Sequence, residues 1–350
     1  MFILKGFYKI LLIVISQIFK SFVFLRLLAY KSGVLRTKRV KTTVISVGNL
    51  TVGGTGKTPV VDLLAKELHR IKKRPVILSR GYKRKENYTQ RRLLFCEESK
   101  IDPALFGDEP YLLAKRNPNV PVYVGNSRYK IAILAEKRDH PDFFLLDDAY
   151  QHIAIHRDLN LLLIDAEQFL GNGHLIPFGI LREPKNQLKR ADAIIITKSN
   201  LAKSNSIVEK LKDELQIDCP IFNFKYEIQK IRRIDGKGEL KLNEISNKRL
   251  LLTSGIAQPK GFEKLIGQYK FEIAGKIEFP DHHDYKAEDV RKILNEYKKL
   301  ESAFIFTTEK DAVKLNNFPE IRNKIWVLEM EMIPDNSWKV FFHNFCISIR

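Results

Sequence analysis

The spacing of apolar and polar residues changes character twice along this chain. The opening stretch, FILKGFYKILLIVISQIFKSFVFLRLLAYK, is apolar but broken by charge. Its longest uncharged run, residues 10–19, would span only about 15 Å as a helix, whereas a bilayer core needs about 30 Å. At helical spacing Lys5, Lys9, Ser16, Lys20 and Lys31 fall in one stripe, and most Leu, Ile, Val and Phe residues take the wider remainder. This pattern predicts a helix lying in a membrane interface, basic stripe to the headgroups and apolar arc to the acyl chains. A spanning helix with Lys20 snorkelling, a signal peptide and a core helix of a soluble fold are the competing readings. No small-x-small cleavage site comes after the run, and the cluster RTKRVK at 36–41 favours a cytoplasmic location for the rest of the chain.

From residue 42 onward, short β-branched runs alternate with helical stretches, the pattern of a parallel sheet covered by helices. Strands are expected at 42–47, 75–80, 92–96, 121–125, 143–148, 161–165, 193–198 and 220–226, and helices at 59–72, 109–116, 127–138 and 203–215. The strand runs are nearly all apolar, as in strands buried on both faces. A polar stretch after Tyr226, with DGKG at its centre, predicts a hairpin turn and a domain junction. Beyond it comes a second αβ set, with strands at 249–256, 271–279 and 303–311 and helices at 260–269 and 287–300.

Length and composition narrow the class. With 350 residues, 44% hydrophobic and 29% charged, the chain is long enough for about two globular domains, which excludes disordered, collagen-like and multi-pass membrane classes. Cys96, Cys219 and Cys346 lie far apart without a CxxC pair, so a disulfide framework or zinc module is not expected. The net charge of +19 predicts a polyanionic partner: nucleic acid, an anionic bilayer or phosphorylated small molecules. The first acidic residue is Asp62, after ten uncompensated basic residues. The apolar N-terminus is thus also the most cationic region, which favours a bilayer over nucleic acid.

A strand ending TTVISV runs into GNLTVGGTGKTP and then into an apolar helical segment. Backbone N–H groups of Gly53, Gly54, Thr55 and Gly56 would wrap a β-phosphate, Lys57 would bridge β- and γ-phosphates, and the Thr58 hydroxyl would ligate magnesium. The strict P-loop pattern expects glycine where Thr51 stands. A magnesium carboxylate should come from another strand end, and FFLLDDAYQH supplies Asp147 and Asp148, with Asp147 favoured. Asp165 and Lys198, at two further strand ends, are candidates either for nucleotide contact or for ordinary strand-end polarity.

A P-loop alone does not separate a kinase from an ATPase or GTPase. FGDEP places Asp108 and Glu109 at the start of an expected helix, and PDHHDY places His282 and His283 in the second domain. A phosphoryl acceptor needs a carboxylate or imidazole within hydrogen-bond reach, and Asp108 paired with His282 fits that role. Spacing alone leaves two alternatives open: Asp108 as a helix cap, and HHD as a surface turn or metal site. A zinc pair from His152 and His156 is disfavoured because QHIAIH does not open a helix.

The ordered set GNLTVGGTGKTP, SRGY, GDEP, DDAYQH, LREP, GIAQP, PDHHDY and TEKDAVKL closely resembles the tetraacyldisaccharide 4′-kinases, the lipid A 4′-kinase family of Gram-negative bacteria. The resemblance implies a P-loop NTPase-like α/β fold, helices on both faces of a parallel sheet, with a smaller α/β domain and an N-terminal membrane helix. It gives an anchoring helix at 1–35, a kinase domain at 36–225, a two-stranded linker at 226–246 and a smaller domain at 247–350. It also implies transfer of the ATP γ-phosphate, with Mg2+, to the 4′-hydroxyl of a tetraacylated glucosamine disaccharide 1-phosphate at the cytoplasmic face of the inner membrane. Carried over by motif, Asp108 is the base, His282 supports it, Lys57 and Thr58 hold phosphate and magnesium, and Asp147, Asp148 and Glu183 are metal-linked. Arg80 in SRGY would meet acceptor or γ-phosphate charge, or serve as a strand-end arginine. His283 receives no role. The family usually carries DGFQH where Ala149 and Tyr150 stand here. No nucleic acid and no obligate protein partner are expected. The rivals are a partitioning-type membrane ATPase with a protein partner and a nucleic-acid-binding NTPase.

Overall fold

The computed structural model describes residues 2–82, 84, 90–97, 103–202, 204–245, 247–269, 271–301 and 304–349. The chain divides into two units, Met1–Lys225 with Pro334–Arg350, and Tyr226–Ile333. The hairpin at DGKG therefore lies inside the second unit, and the last 17 residues, expected in the second domain, group with the first.

The first unit opens with helix α1 (Phe2–Lys31) and builds a sheet from β1 (Thr43–Asn49), β2 (Pro75–Ser79), β3 (Arg91–Leu93), β4 (Val122–Val124), β5 (Phe143–Asp147), β6 (Leu159–Asp165), β7 (Ala193–Thr197) and the start of β8 (Ile221–Arg233). Their order is β8-β7-β6-β1-β5-β2-β4-β3. All neighbours are parallel except the edge pair β3–β4. Residues 92–96, expected as one strand, instead leave β3 at Leu93 and enter a 3-10 turn at Phe95–Glu97. As an edge element, β3 has a partner on one side only among the described residues.

Helices α2 (Lys57–Arg70), α3 (Pro103–Phe106), α4 (Asp108–Arg116), α5 (Arg128–Asp139) and α6 (Ser204–Glu209) belong to this unit. Alternate residues of a strand face opposite sides. Val44, Val76, Leu78, Phe144 and Leu146 pack with Ile131, Ala132 and Ala135 of α5, while their neighbours Ile45, Ile77 and Leu145 are equally buried. Burial on both faces explains why these strands lack alternation, and each such side chain contributes about 1.5–3 kcal/mol.

The second unit carries the rest of β8, then β9 (Glu239–Leu240), β10 (Arg249–Ser254), β11 (Glu272–Glu278), β12 (Phe304–Thr308) and β13 (Ile325–Pro334), with α7 (Pro259–Gly267), α8 (Ala287–Lys299) and α9 (Glu309–Leu315). β8 and β9 form the antiparallel DGKG hairpin, with Gly236 at φ 75° where the turn needs a left-handed residue. β11, β10, β12 and β13 pair in parallel. Beyond β13, helix α10 (Asn336–Ser348) returns to the first unit, where Trp338 is fully buried against Phe222 and Phe224 and donates to Glu67 at 3.3 Å.

The N-terminal helix has two apolar faces. Val23 is buried in the first unit's core with Phe19 and Leu27 packed beside it, and Ser16 Oγ donates to the Leu175 carbonyl at 2.9 Å. Ser16 therefore faces protein, not the headgroup-facing stripe in which helical spacing puts it: a small hydroxyl bonded to a carbonyl can be buried where a lysine cannot. Ile10, Leu11, Val14, Ile18, Phe22, Leu25 and Leu28 point outward and are exposed. Its apolar stretch Tyr8–Lys31 is long enough, by length and composition, to cross a membrane.

Candidate active site

The glycine turn lies between β1 and α2, at the carboxyl ends of the central parallel strands, where a doubly wound sheet leaves a crevice. Gly53 (φ 108°) and Gly56 (φ 80°) take left-handed backbone; these two positions require glycine for conformation. Gly48 is required for a different reason, since a Cβ there would lie 2.5 Å from the Tyr150 backbone nitrogen.

Three neighbours hold the turn. The chain running into LREP lies beside it: Val52 N donates to Ile180 O (2.8 Å), and Arg182 N donates to Leu50 O. Thr51 bridges to Leu181, and its carbonyl and hydroxyl accept from the Asn49 side chain at 2.8 and 3.2 Å. This use of residue 51 in strand-like pairing accounts for threonine where the strict motif has glycine. Beneath the turn, Thr197 Oγ1 donates to Thr55 O at 2.9 Å and Lys198 Nζ to Gly54 O at 3.2 Å. Lys198 is itself paired with buried Asp165.

Lys57 reaches back from the first turn of α2. Its Nζ donates to Asn49 Oδ1 at 3.3 Å and stands 3.7 Å from Asp148 Oδ1. Asp147 ends β5 and is 1% exposed. Ser79 Oγ donates to its Oδ2 at 3.0 Å, while Oδ1 is buried with no hydrogen-bond partner among the described residues. Burial, then the negative charges of Glu109 and Asp148, push this carboxyl up to about 7 against the pull of Ser79 and Lys57. Asp148 behaves oppositely. Burial opposes its charge, but Lys57 and Arg182 outweigh it and hold the carboxyl below its ordinary range. Arg182 grips both Asp148 oxygens, at 3.0 and 3.1 Å.

Asp108 is the first residue of α4, and the N-cap position belongs to Gly107, with no side-chain cap bond. Asp108 thus sits in the first turn of the helix rather than at its N-cap. Gly107 has φ 94°, and a Cβ there would lie 2.9 Å from the Tyr82 carbonyl; a Cβ on Gly81 would lie 2.7 Å from Phe106 O. SRGY and GDEP thus meet backbone to backbone, and Glu109 is close enough to Asp147 to raise its pKa. Arg80, directly after β2, is exposed.

Glu183 is 1% exposed, and both its oxygens take guanidinium partners: Arg26 of α1 at 2.7 Å, and Arg190. Arg26 also donates to the Gln151 carbonyl at 3.1 Å, and Gln151 Nε2 donates to Asn49 O at 2.8 Å. Tyr150, standing in place of phenylalanine, is fully buried, donates to Gln187 O and carries the Arg190 guanidinium over its ring. His152 Nε2 is buried without a hydrogen-bond partner among the described residues, and burial, with the charges of Arg128, Arg157, Arg80 and Arg26, pushes the imidazole down to about 4. His156 faces Asp158 at 3.5 Å. The two histidines do not converge, and the described residues contain no group of three or more His, Cys, Asp or Glu side chains placed to hold a metal by themselves.

Sequence reasoning passes over Asn49, Arg128 and Arg182. Arg128, buried behind Asp147, donates to its carbonyl at 3.0 Å. The one available signal is position: each lies at a strand end or close to a motif of the site. His282 and His283 lie in the second unit. His283 Nε2 stands 3.0 Å from Asp289 Oδ2 and the ring stacks on Phe279, while His282 meets Lys310 at 3.1 Å.

Known proteins share this outline. The family model described as tetraacyldisaccharide-1-P 4′-kinase matches residues 8–345. The tetraacyldisaccharide 4′-kinase of Bdellovibrio bacteriovorus is 36% identical over 303 residues, 87% of this chain and 88% of that protein. The enzyme of the same name from Geobacter metallireducens is 36% identical over 305 residues, again 87% and 88%. A crystal structure of LpxK from Aquifex aeolicus, described as an "apo" form in complex with ATP, superposes with a TM-score of 0.74 at 31% identity, covering 95% of this chain and 97% of that one.

Proposed function

This chain belongs to the tetraacyldisaccharide 4′-kinase family, and from that membership we propose how its residues carry out the reaction. It is an ATP-dependent kinase that phosphorylates the 4′-hydroxyl of a tetraacylated disaccharide 1-phosphate in lipid A synthesis. The observation that carries the site assignment is the meeting of Lys57, at the start of α2 beside the glycine turn, with the strand-end carboxylates of Asp147, the last residue of β5, and Asp148.

The turn from Gly53 to Gly56 binds the polyphosphate through backbone N–H groups, and Lys57 exchanges Asn49 and Asp148 for phosphate oxygens. Magnesium suits the residues present. Asp147 offers a buried oxygen with no hydrogen-bond partner among the described residues, and Thr58 follows Lys57 in the first turn of α2. When bound, the ion neutralises charge spreading over the phosphoryl oxygens. Asp148, kept ionised by Lys57 and Arg182, orients both cations. Glu183 would join the metal set only by giving up Arg26 or Arg190.

Asp108 accepts the proton of the sugar hydroxyl as that oxygen bonds the γ-phosphorus and the bond from the γ-phosphorus to the bridging oxygen of ADP breaks, with ADP leaving; His282, as its motif implies, takes part in the same step. The outward face of α1 seats the enzyme in the inner-membrane interface on the cytoplasmic side, with basic residues 36–41 toward anionic headgroups. The bilayer, not nucleic acid, is then the polyanion that the N-terminal charge serves.

The test is incubation of the purified protein with labelled ATP, magnesium and a detergent-dispersed tetraacyl disaccharide 1-phosphate. A bisphosphorylated lipid is expected. Asp108→Asn should cut kcat by roughly 10²–10⁴-fold while ATP affinity holds; unimpaired turnover removes Asp108 from the chemistry. His282→Ala should add little to the Asp108→Asn loss if the two act together.

A further inference from the structure

Two motifs of the second unit, PDHHDY and TEKDAVKL, are bound to each other through Lys310, Asp311 and Lys314, to which the kinase reading assigns no role. Lys310 Nζ lies 2.9 Å from Asp281 Oδ1 and 3.1 Å from His282 Nε2. One turn further along α9, Lys314 Nζ donates to the carbonyls of His282 and His283, each at 3.1 Å, and meets Asp284 Oδ1 at 3.4 Å. Between them buried Asp311 accepts from Gly255 N (3.0 Å), Tyr285 Oη (3.0 Å) and Thr308 Oγ1 (2.6 Å). The loop so held contains His282 at φ 62°, a left-handed conformation unfavourable for a non-glycine residue. The carbonyls of His282 and His283 are the ones Lys314 binds.

We propose that Lys310 is a positioning residue that fixes the tautomer and orientation of His282. An ammonium has three N–H donors and no lone pair, so at 3.1 Å the ring's Nε2 must be the acceptor. The ring proton then resides on Nδ1, which becomes the donor His282 offers. Asp281 Oδ2 is 3.9 Å from Nε2, beyond hydrogen-bond distance, and Lys314 engages the backbone carbonyl. The neighbouring imidazole is committed elsewhere, His283 Nε2 to Asp289. The two adjacent histidines thus differ: a cation from α9 sets the ring nitrogen of His282, and a carboxylate from α8 meets that of His283.

This inference rests on the reading that His282 takes part in phosphoryl transfer, but its primary readout is independent of activity. Full-length protein labelled with 15N-histidine, held in detergent micelles, gives the tautomer of each imidazole from its two ring-nitrogen resonances, and His282→Asn assigns the signals. In the wild type His282 Nε2 should be unprotonated. Lys310→Met should move its resonances toward the Nε2–H form and lower kcat about tenfold with the KM for ATP unchanged, the size expected for one charge-assisted hydrogen bond. Lys310→Arg, which keeps a cationic donor, should restore both. Unchanged His282 resonances in Lys310→Met, or changed resonances with turnover unaffected, overturn the proposal. Full turnover by His282→Ala instead removes the reading beneath it.

Discussion

Lys198 Nζ lies 2.6 Å from Asp165 Oδ2 at the buried ends of β7 and β6, and the same ammonium donates to Gly54 O. This ion pair supports the phosphate turn from below. Asp165→Ala would leave a cation in a site with almost no solvent access. It should destabilise the protein by about 3–5 kcal/mol and weaken ATP binding. Adding Lys198→Met should recover part of the stability but not the affinity, because the strut to Gly54 is still missing. Denaturant melts and ATP titrations of the two variants check this, and equal ATP affinity in all three proteins would contradict it.

Magnesium binding should be coupled to proton release. Asp147 is held protonated to about pH 7 by burial and by Glu109 and Asp148, and a metal takes the carboxylate form. Calorimetric titration with magnesium at pH 6, in two buffers of different ionisation enthalpy, should give heats differing by about one proton. Asp147→Asn should abolish the difference. Identical heats with the wild type would mean that the carboxylate is already ionised.

His152 sets an acid limit to stability. Its imidazole is displaced from 6.5 down to about 4 by burial and four arginines. Between those two values the unfolded chain takes up a proton that the folded chain refuses. The stability it contributes is therefore complete above pH 6.5 and drains away as the pH falls toward 4. Urea midpoints between pH 7.5 and 4.5 should fall less steeply for His152→Gln than for the wild type. Parallel profiles would refute the assignment.

The two faces of α1 should respond differently to the same change. Phe22 and Leu25 are 68% and 58% exposed, and Val23 is buried in the core of the first unit. Phe22→Asp with Leu25→Asp should sharply reduce sedimentation with anionic vesicles while the thermal midpoint stays within about 2 °C. Val23→Asp should do the reverse, lowering stability by several kcal/mol through an unpaired buried charge. Vesicle binding that survives the double variant would place the lipid contact elsewhere.

Much of the first unit is legible in the sequence because its strands lie between two helical layers. Runs such as FFLLD and AIIIT are apolar throughout, and so stand out without any partner being known. The glycine turn is legible for the same local reason, since positive φ at Gly53 and Gly56 restricts the residue type at the position itself. The end of edge strand β3 is not, because one-sided pairing imposes little pattern. Nor are strand β13 and helix α10, and α10 joins a unit whose other residues end at Lys225. Helical spacing groups Ser16 with the lysines, because it gives the angle of a residue but not what lies opposite it.

The sequence by itself determined the strands, the phosphate turn, the strand-end carboxylates and a basic, apolar N-terminus, because backbone sterics and burial on both faces act over a few neighbouring residues. Only the tertiary structure decided how those charges are paired. Arg26 meets Glu183 across 157 positions, and Lys198 reaches Gly54 across 144. These partnerships follow from strand order and helix docking, which bring distant residues into a low-dielectric crevice where every charge needs a partner.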